Sequence, residues 1–110
     1  MRTNPLQRIC FVLKVLPQRL EEYRERHREV WPEMKAALKA SGWRDYSLFL
    51  RPDGLLVGHV MCEDFEAARS AMKAFEVNER WQCEMLPFFD GSGTAPDDAM
   101  QPLEEIFHLD

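Results

Sequence analysis

A chain of 110 residues, 45% hydrophobic and 30% charged, has room for one domain around one continuous core. Its formal net charge of −5 excludes a binder of nucleic-acid backbones, which needs a basic surface. Cys10, Cys62 and Cys83, with no CxxC or Cys/His box, exclude a disulfide frame and a zinc finger and fit a reducing compartment. Residues 1–7 lack an apolar signal core, and no run approaches the ~18 apolar residues of a membrane span. The reading is of a cytoplasmic protein without a membrane segment.

In chain order, residues 8–15 alternate, with Ile9, Phe11, Leu13 and Val15 on one face, and predict a first strand. Pro17 opens a long helix predicted over residues 18–40, and Gly42 caps its C-terminal end. Wound at about 100° per residue, this helix gathers Leu20, Tyr23, His27, Val30, Trp31, Met34 and Leu38 on one buried arc. Glu22, Glu25, Arg26, Glu29 and Glu33 form the opposite, solvated face. Pro32 removes an amide donor within the run and predicts a kink just past His27.

Residues 43–51 predict a second strand, with Tyr46, Leu48 and Leu50 opposed to Ser47, Phe49 and Arg51. Pro52-Asp53-Gly54 forms a turn, so Leu55–Cys62 returns as the third strand of a hairpin. Asp64 caps a second helix with the stripe Ala68, Ala71, Met72 and Phe75. Asn78 is expected to cap a further helical piece over 79–86, with Trp81 and Met85 on one face. Residues 87–102, rich in Gly, Ser, Pro and Asp, read as a loop or arm, and 103–109 as a fourth strand.

The order β-α-β-β-α-β predicts an α+β fold, a ferredoxin-like sandwich with an antiparallel four-stranded sheet and helices on one face. Several strands are apolar on both sides, so the outer sheet face needs a cover, and a second subunit packed sheet to sheet would provide it. An RNA-recognition module shares the order, but no strand carries its basic glycine-aromatic signature.

Tyr23 and His27, one turn apart on the buried arc, are the feature to explain, since a pure core would carry leucine there. Two structural readings compete: a core histidine satisfied by neighbouring groups, and a tyrosine whose hydroxyl reaches solvent. The functional reading is a pocket in which phenol and imidazole hold and protonate a polar ligand. Tyr46 and Trp81 are its plausible walls, an indole face stacking well on a sugar ring. His27, His59 and His108 lie on separate elements and make no metal-ligand set, and no phosphate loop or cofactor fingerprint is present. The residues alone describe a cofactor-free domain with one small-molecule site suited to acid/base chemistry.

Residues 21–33, containing Glu22-Tyr23, His27 and Val30-Trp31-Pro32-Glu33, strongly resemble the E-Y-x-x-x-H-x-x-(V/I)-W-P-E signature of the L-rhamnose mutarotases. The resemblance continues through Ser41-Gly42, Asp45-Tyr46, Asn78-Glu79-Arg80-Trp81 and the closing run 103–109, spanning nearly the whole chain as a single mutarotase domain, 1–110. It implies a cytoplasmic homodimer of ferredoxin-like subunits in an α/β-barrel-like assembly, which interconverts the α and β anomers of L-rhamnose without a cofactor. It places the catalytic histidine on His27, the two substrate-contacting tyrosines on Tyr23 and Tyr46, and the first of a substrate-binding Trp-Trp pair on Trp81. The second position of that pair is Gln82, a departure: glutamine hydrogen-bonds a hydroxyl but cannot stack. L-fucose or another deoxyhexose is therefore the alternative substrate, and a binding dimer without catalysis the alternative class. In the mutarotase reading His27 donates a proton to the ring oxygen, and Glu105, a tyrosine or water takes the anomeric proton.

Overall fold

The structure is a computed structural model, and it describes residues 6–89 and 99–109. Strand β1, Gln7–Lys14, keeps the alternation read from the sequence, with Phe11 and Leu13 buried and Val15 following them inward. A short 3-10 turn, Pro17–Arg19, leads into helix α1, Leu20–Arg28, and α2 follows over Pro32–Ala40.

The single kinked helix expected over 18–40 is therefore two helices. Glu29 leaves the helical region at φ −133°, ψ 66°, and Trp31 is extended at ψ 134°. A residue before proline is pushed out of the right-handed helical region by the proline ring, so the helix ends where a kink was expected. Pro32 then occupies the first position of a new helix, where its missing amide costs nothing. The Trp31 carbonyl accepts from the amides of Met34 and Lys35 at 3.0 and 3.1 Å and starts α2. At the other end, Gly42 at φ 90° lets its own amide reach the Lys39 carbonyl and the Trp43 amide reach that of Leu38. This closes the helix with a paired C-terminal cap.

Strands β2, Arg44–Leu50, and β3, Leu55–Cys62, form the expected hairpin across Pro52-Asp53-Gly54. The Arg51 amide donates to the Leu55 carbonyl at 2.8 Å, and Gly54 takes φ 101°. Helix α3, Phe65–Met72, is capped by the Asp64 carboxylate, which accepts from the Ala67 amide at 3.2 Å. Helix α4, Glu76–Met85, begins three residues earlier than read. Phe75, extended, supplies the first carbonyl to the Asn78 amide at 3.1 Å, so Asn78 is not a cap but a buried residue inside the helix.

The sheet order is β2-β3-β1-β4, with every neighbouring pair antiparallel. The described residues form an α+β fold, a four-stranded antiparallel sheet with four α-helices. One sheet face, with Phe11, Leu13, Leu56 and Val60, shares a core cluster with Tyr23, Met34, Met72 and Trp81 of the helices. On the other face Val12, Val57, His59 and Met61 are half-buried and Phe49 is 62% exposed.

The fourth strand differs most from its reading. Strand β4 is only Gln101–Leu103, paired with Val12–Cys10 of β1, and 104–109 lie outside any strand. Ile106, Phe107 and Leu109 are 89%, 78% and 79% exposed. Alternation makes a strand when one face has something to bury against, and within one chain this run has no core. Glu105 reaches Arg8 through its side chain instead, at 3.1 Å. Of the arm read over 87–102, the start forms part of a 3-10 turn, Leu86–Phe88, and Phe89 bridges to Val15. Met100 is buried, and positions 90–98 lie outside the described residues.

Candidate active site

Between the helices and the inner sheet face lies a cavity of about 530 Å³. Tyr23, His27, Tyr46, Trp81 and Gln82, all five residues expected at a site, line it. They arrive from three elements. α1 supplies the first two at adjacent turns of its buried arc, β2 supplies Tyr46 by inward alternation, and α4 supplies Trp81 and Gln82.

His27 is half-buried, and its Nδ1 lies 3.0 Å from the Tyr23 carbonyl oxygen one turn back. A carbonyl only accepts, so in the neutral ring Nδ1 carries the proton and Nε2 keeps its lone pair. Burial pushes the His27 pKa below its ordinary 6.5, and the bond to the Tyr23 carbonyl opposes that in part. The ring therefore has one nitrogen that exchanges a proton, and its protonated form is a stronger acid than free imidazolium.

Tyr23 is 5% exposed, and burial holds its phenol well above the ordinary tyrosine range, so it stays protonated. Its ring sits 4.3 Å from the His27 ring and meets Phe88 and Phe89 edge-on at 5.8 and 5.6 Å. Among the described residues its hydroxyl makes no hydrogen bond. Trp81 meets the His27 ring at 5.5 Å and the Trp31 ring at 5.0 Å, both nearly perpendicular. Tyr46 rests against Trp43 at 4.9 Å. The Gln82 amide donates to Asn78 Oδ1 at 3.3 Å, which ties the position that departs from the family pattern to a buried residue of its own helix.

Among the lining residues not expected at a site are Lys35, Lys39, Asp45 and Phe89. The two lysines wind onto the polar side of their helix, and Phe89 follows the loop signal of Pro87, so no periodicity pointed to them. Glu105, one expected acceptor of the anomeric proton, is not among the lining residues; it pairs with Arg8 at the surface, 3.9 Å from His108. His59 lies on the outer sheet face, opposite Cys10. Among the described residues no three His, Cys, Asp or Glu side chains gather as a metal site, and no helix is long and apolar enough to cross a membrane.

The arrangement can enclose a small polyhydroxylated ring, stack it on an indole, orient it by phenol hydroxyls and exchange one proton with it. A family model described as L-rhamnose mutarotase matches residues 8–109. An L-rhamnose mutarotase of Oceanobacillus iheyensis is 37% identical over 108 residues, covering 96% of this chain and 100% of that protein. One from Bacillus subtilis is 37% identical over 106 residues, with 96% and 100% covered. The crystal structure of an L-rhamnose mutarotase from Formosa agariphila superposes with a TM-score of 0.75 at 27% identity, covering 94% of this chain and 99% of that one. The structure of Rv0793 from Mycobacterium tuberculosis, TM-score 0.55 at 12% identity, covers 97% of this chain and 100% of that one and shares the fold alone. With the family model matched almost end to end and such relatives along nearly the whole chain, the protein belongs to the L-rhamnose mutarotase family and is an isomerase.

Proposed function

We propose that this chain opens and recloses the pyranose ring of L-rhamnose, exchanging its α and β anomers, with His27 as the proton carrier. The observation that supports this most is the pairing of His27 Nδ1 with the Tyr23 carbonyl, which leaves Nε2 as the single exchanging nitrogen inside a cavity of sugar size. On opening, protonated Nε2 gives its proton to the ring oxygen and the bond from C1 to that oxygen breaks. The anomeric hydroxyl loses its proton to water, leaving an aldehyde. Rotation about the C1–C2 bond presents the other carbonyl face, and closure runs the same transfers backwards.

In this reading Tyr23 and Tyr46 hold sugar hydroxyls, Trp81 packs the ring and Gln82 hydrogen-bonds a hydroxyl. No cofactor takes part. The single domain, 1–110, works in the cytoplasm as a homodimer of ferredoxin-like subunits, in which a second copy covers the half-buried outer sheet face around Val12, Val57 and Met61 in a barrel-like assembly. L-fucose or another deoxyhexose is the alternative substrate, because the glutamine at position 82 bonds but cannot stack.

Saturation-transfer NMR tests the reading: one anomeric proton is irradiated and the other observed, on equilibrated L-rhamnose, L-fucose and D-glucose. Transfer is expected on L-rhamnose. Transfer on L-fucose alone keeps the chemistry and reassigns the sugar, and a protein that binds sugar without transfer overturns the enzyme reading.

The pH dependence follows from the role of His27. Opening needs the imidazolium, and burial places the pKa below 6.5. The free-enzyme profile, kcat/KM, is then flat on the acid side of that value and falls by about tenfold per pH unit above it. A profile that rises with pH would instead make Nε2 a base acting on the anomeric hydroxyl.

A further inference from the structure

Strand β2 breaks its own alternation at the cavity. Tyr46, Leu48 and Leu50 turn inward while Ser47 and Phe49 turn out, and the same period assigns Asp45 to the outer face beside Ser47. Asp45 nevertheless lines the cavity together with its neighbour Tyr46. The cause lies in the pairing with β3: Arg44 opposes Met61 and Ser47 opposes His59, so β2 carries an extra residue in a bulge. Asp45 absorbs it at φ 50°, the single positive φ of a non-glycine among the described residues. Aspartate tolerates that conformation better than most side chains, and a bulge there re-aims a side chain that a regular strand would waste on the outer face.

The residue the bulge brings to the cavity lining is Asp45, which is exposed there and carries a carboxylate. Among the described residues it forms no hydrogen bond or ion pair, although Lys35 and Lys39 line the same cavity from α2. An ionised carboxylate is acceptor-only, and sugar hydroxyls are donors in pairs. We propose that Asp45 is a sugar-binding residue, whose carboxylate accepts hydrogen bonds from hydroxyls of the bound monosaccharide at the mouth of the site. The assignment rests on the proposed function above and adds to it a residue that fixes how the sugar enters and which way it faces. Hydroxyls away from the reacting bond are held alike in the cyclic and open forms, so Asp45 acts on binding and not on the chemical step.

Asp45→Gly is the informative variant, because glycine accepts the positive φ and only the carboxylate is lost; alanine would add backbone strain. Anomer-exchange rates over a range of L-rhamnose concentrations are expected to show KM raised about tenfold or more, the loss of a charged hydrogen bond, with kcat changed less than about threefold. Asp45→Asn keeps one carbonyl acceptor and recovers part of the lost affinity. An Asp45→Gly protein with wild-type KM, or one that loses kcat alone, overturns the assignment while the mutarotase reading stands. A wild-type protein that exchanges no sugar overturns that reading, and this one with it.

Discussion

Replacing His27 with alanine lowers anomer exchange by about 10²–10⁴-fold, the usual worth of a positioned acid/base group. Among the described residues that line the cavity, His27 is the one imidazole. Tyr23 is held protonated by burial, and the lysines and Asp45 stand at the side of α2 and the cavity mouth. The ring is half-buried and packs against Tyr23 and Trp81, so the variant is expected to keep its fold and the rest of the cavity. Exchange rates by saturation transfer, with melting curves beside them, separate the two effects. Added imidazole, small enough to occupy the emptied space, is expected to restore part of the rate. A variant that exchanges anomers within a few-fold of wild type would remove His27 from the mechanism.

Phe11→Ala is expected to be the most damaging single change to stability among those the structure singles out. Phe11 is fully buried, lies 6.0 Å from the Phe65 ring and 6.3 Å from the Tyr46 ring, and is seated on Gly58 of the neighbouring strand. A Cβ built on Gly58 would meet Phe11 Cζ at 2.3 Å, so the glycine is there to admit the ring. Removing the ring leaves a cavity the sheet cannot collapse into, at a cost of about 3–5 kcal/mol. For a domain whose total stability is about 5–15 kcal/mol, that removes between about a fifth and all of the margin. Urea titration should show a lower midpoint with an unchanged slope. The folded remainder should also bind sugar less well, because Tyr46 loses one of the rings beside it and keeps Trp43. A loss below about 1 kcal/mol would mean the neighbours close the gap.

Much of this was legible because burial writes its period into the chain. Phe11, Leu13 and Val15 alternate because one face of β1 meets the helices, and Tyr23 and His27 stood out because they occupy the buried arc of a helix that needed only leucine there. The division of the helix at residues 29–31 was not legible, since the apolar stripe from Leu20 to Leu38 runs through the break. Whether proline kinks a helix or begins a new one depends on the residue before it, and here Trp31 is extended and packed on Trp81. The last strand misled for the opposite reason: residues 103–109 alternate, but within one chain nothing receives their apolar side. Asp45 stayed hidden because a bulge has no fixed sequence mark, and alternation counted through it assigns the carboxylate to the wrong face.

The hydrogen bond that orients His27 has an evolutionary consequence. Its acceptor belongs to the main chain of residue 23 and not to the tyrosine side chain. In the proposed mechanism, a side chain at position 23 that preserves the helix leaves the His27 tautomer in place, so drift there would retune which hydroxyls are held without disabling proton transfer. On that mechanism, a lineage would be free to wander among sugars at positions 23, 46 and 82 while the reaction itself is inherited intact.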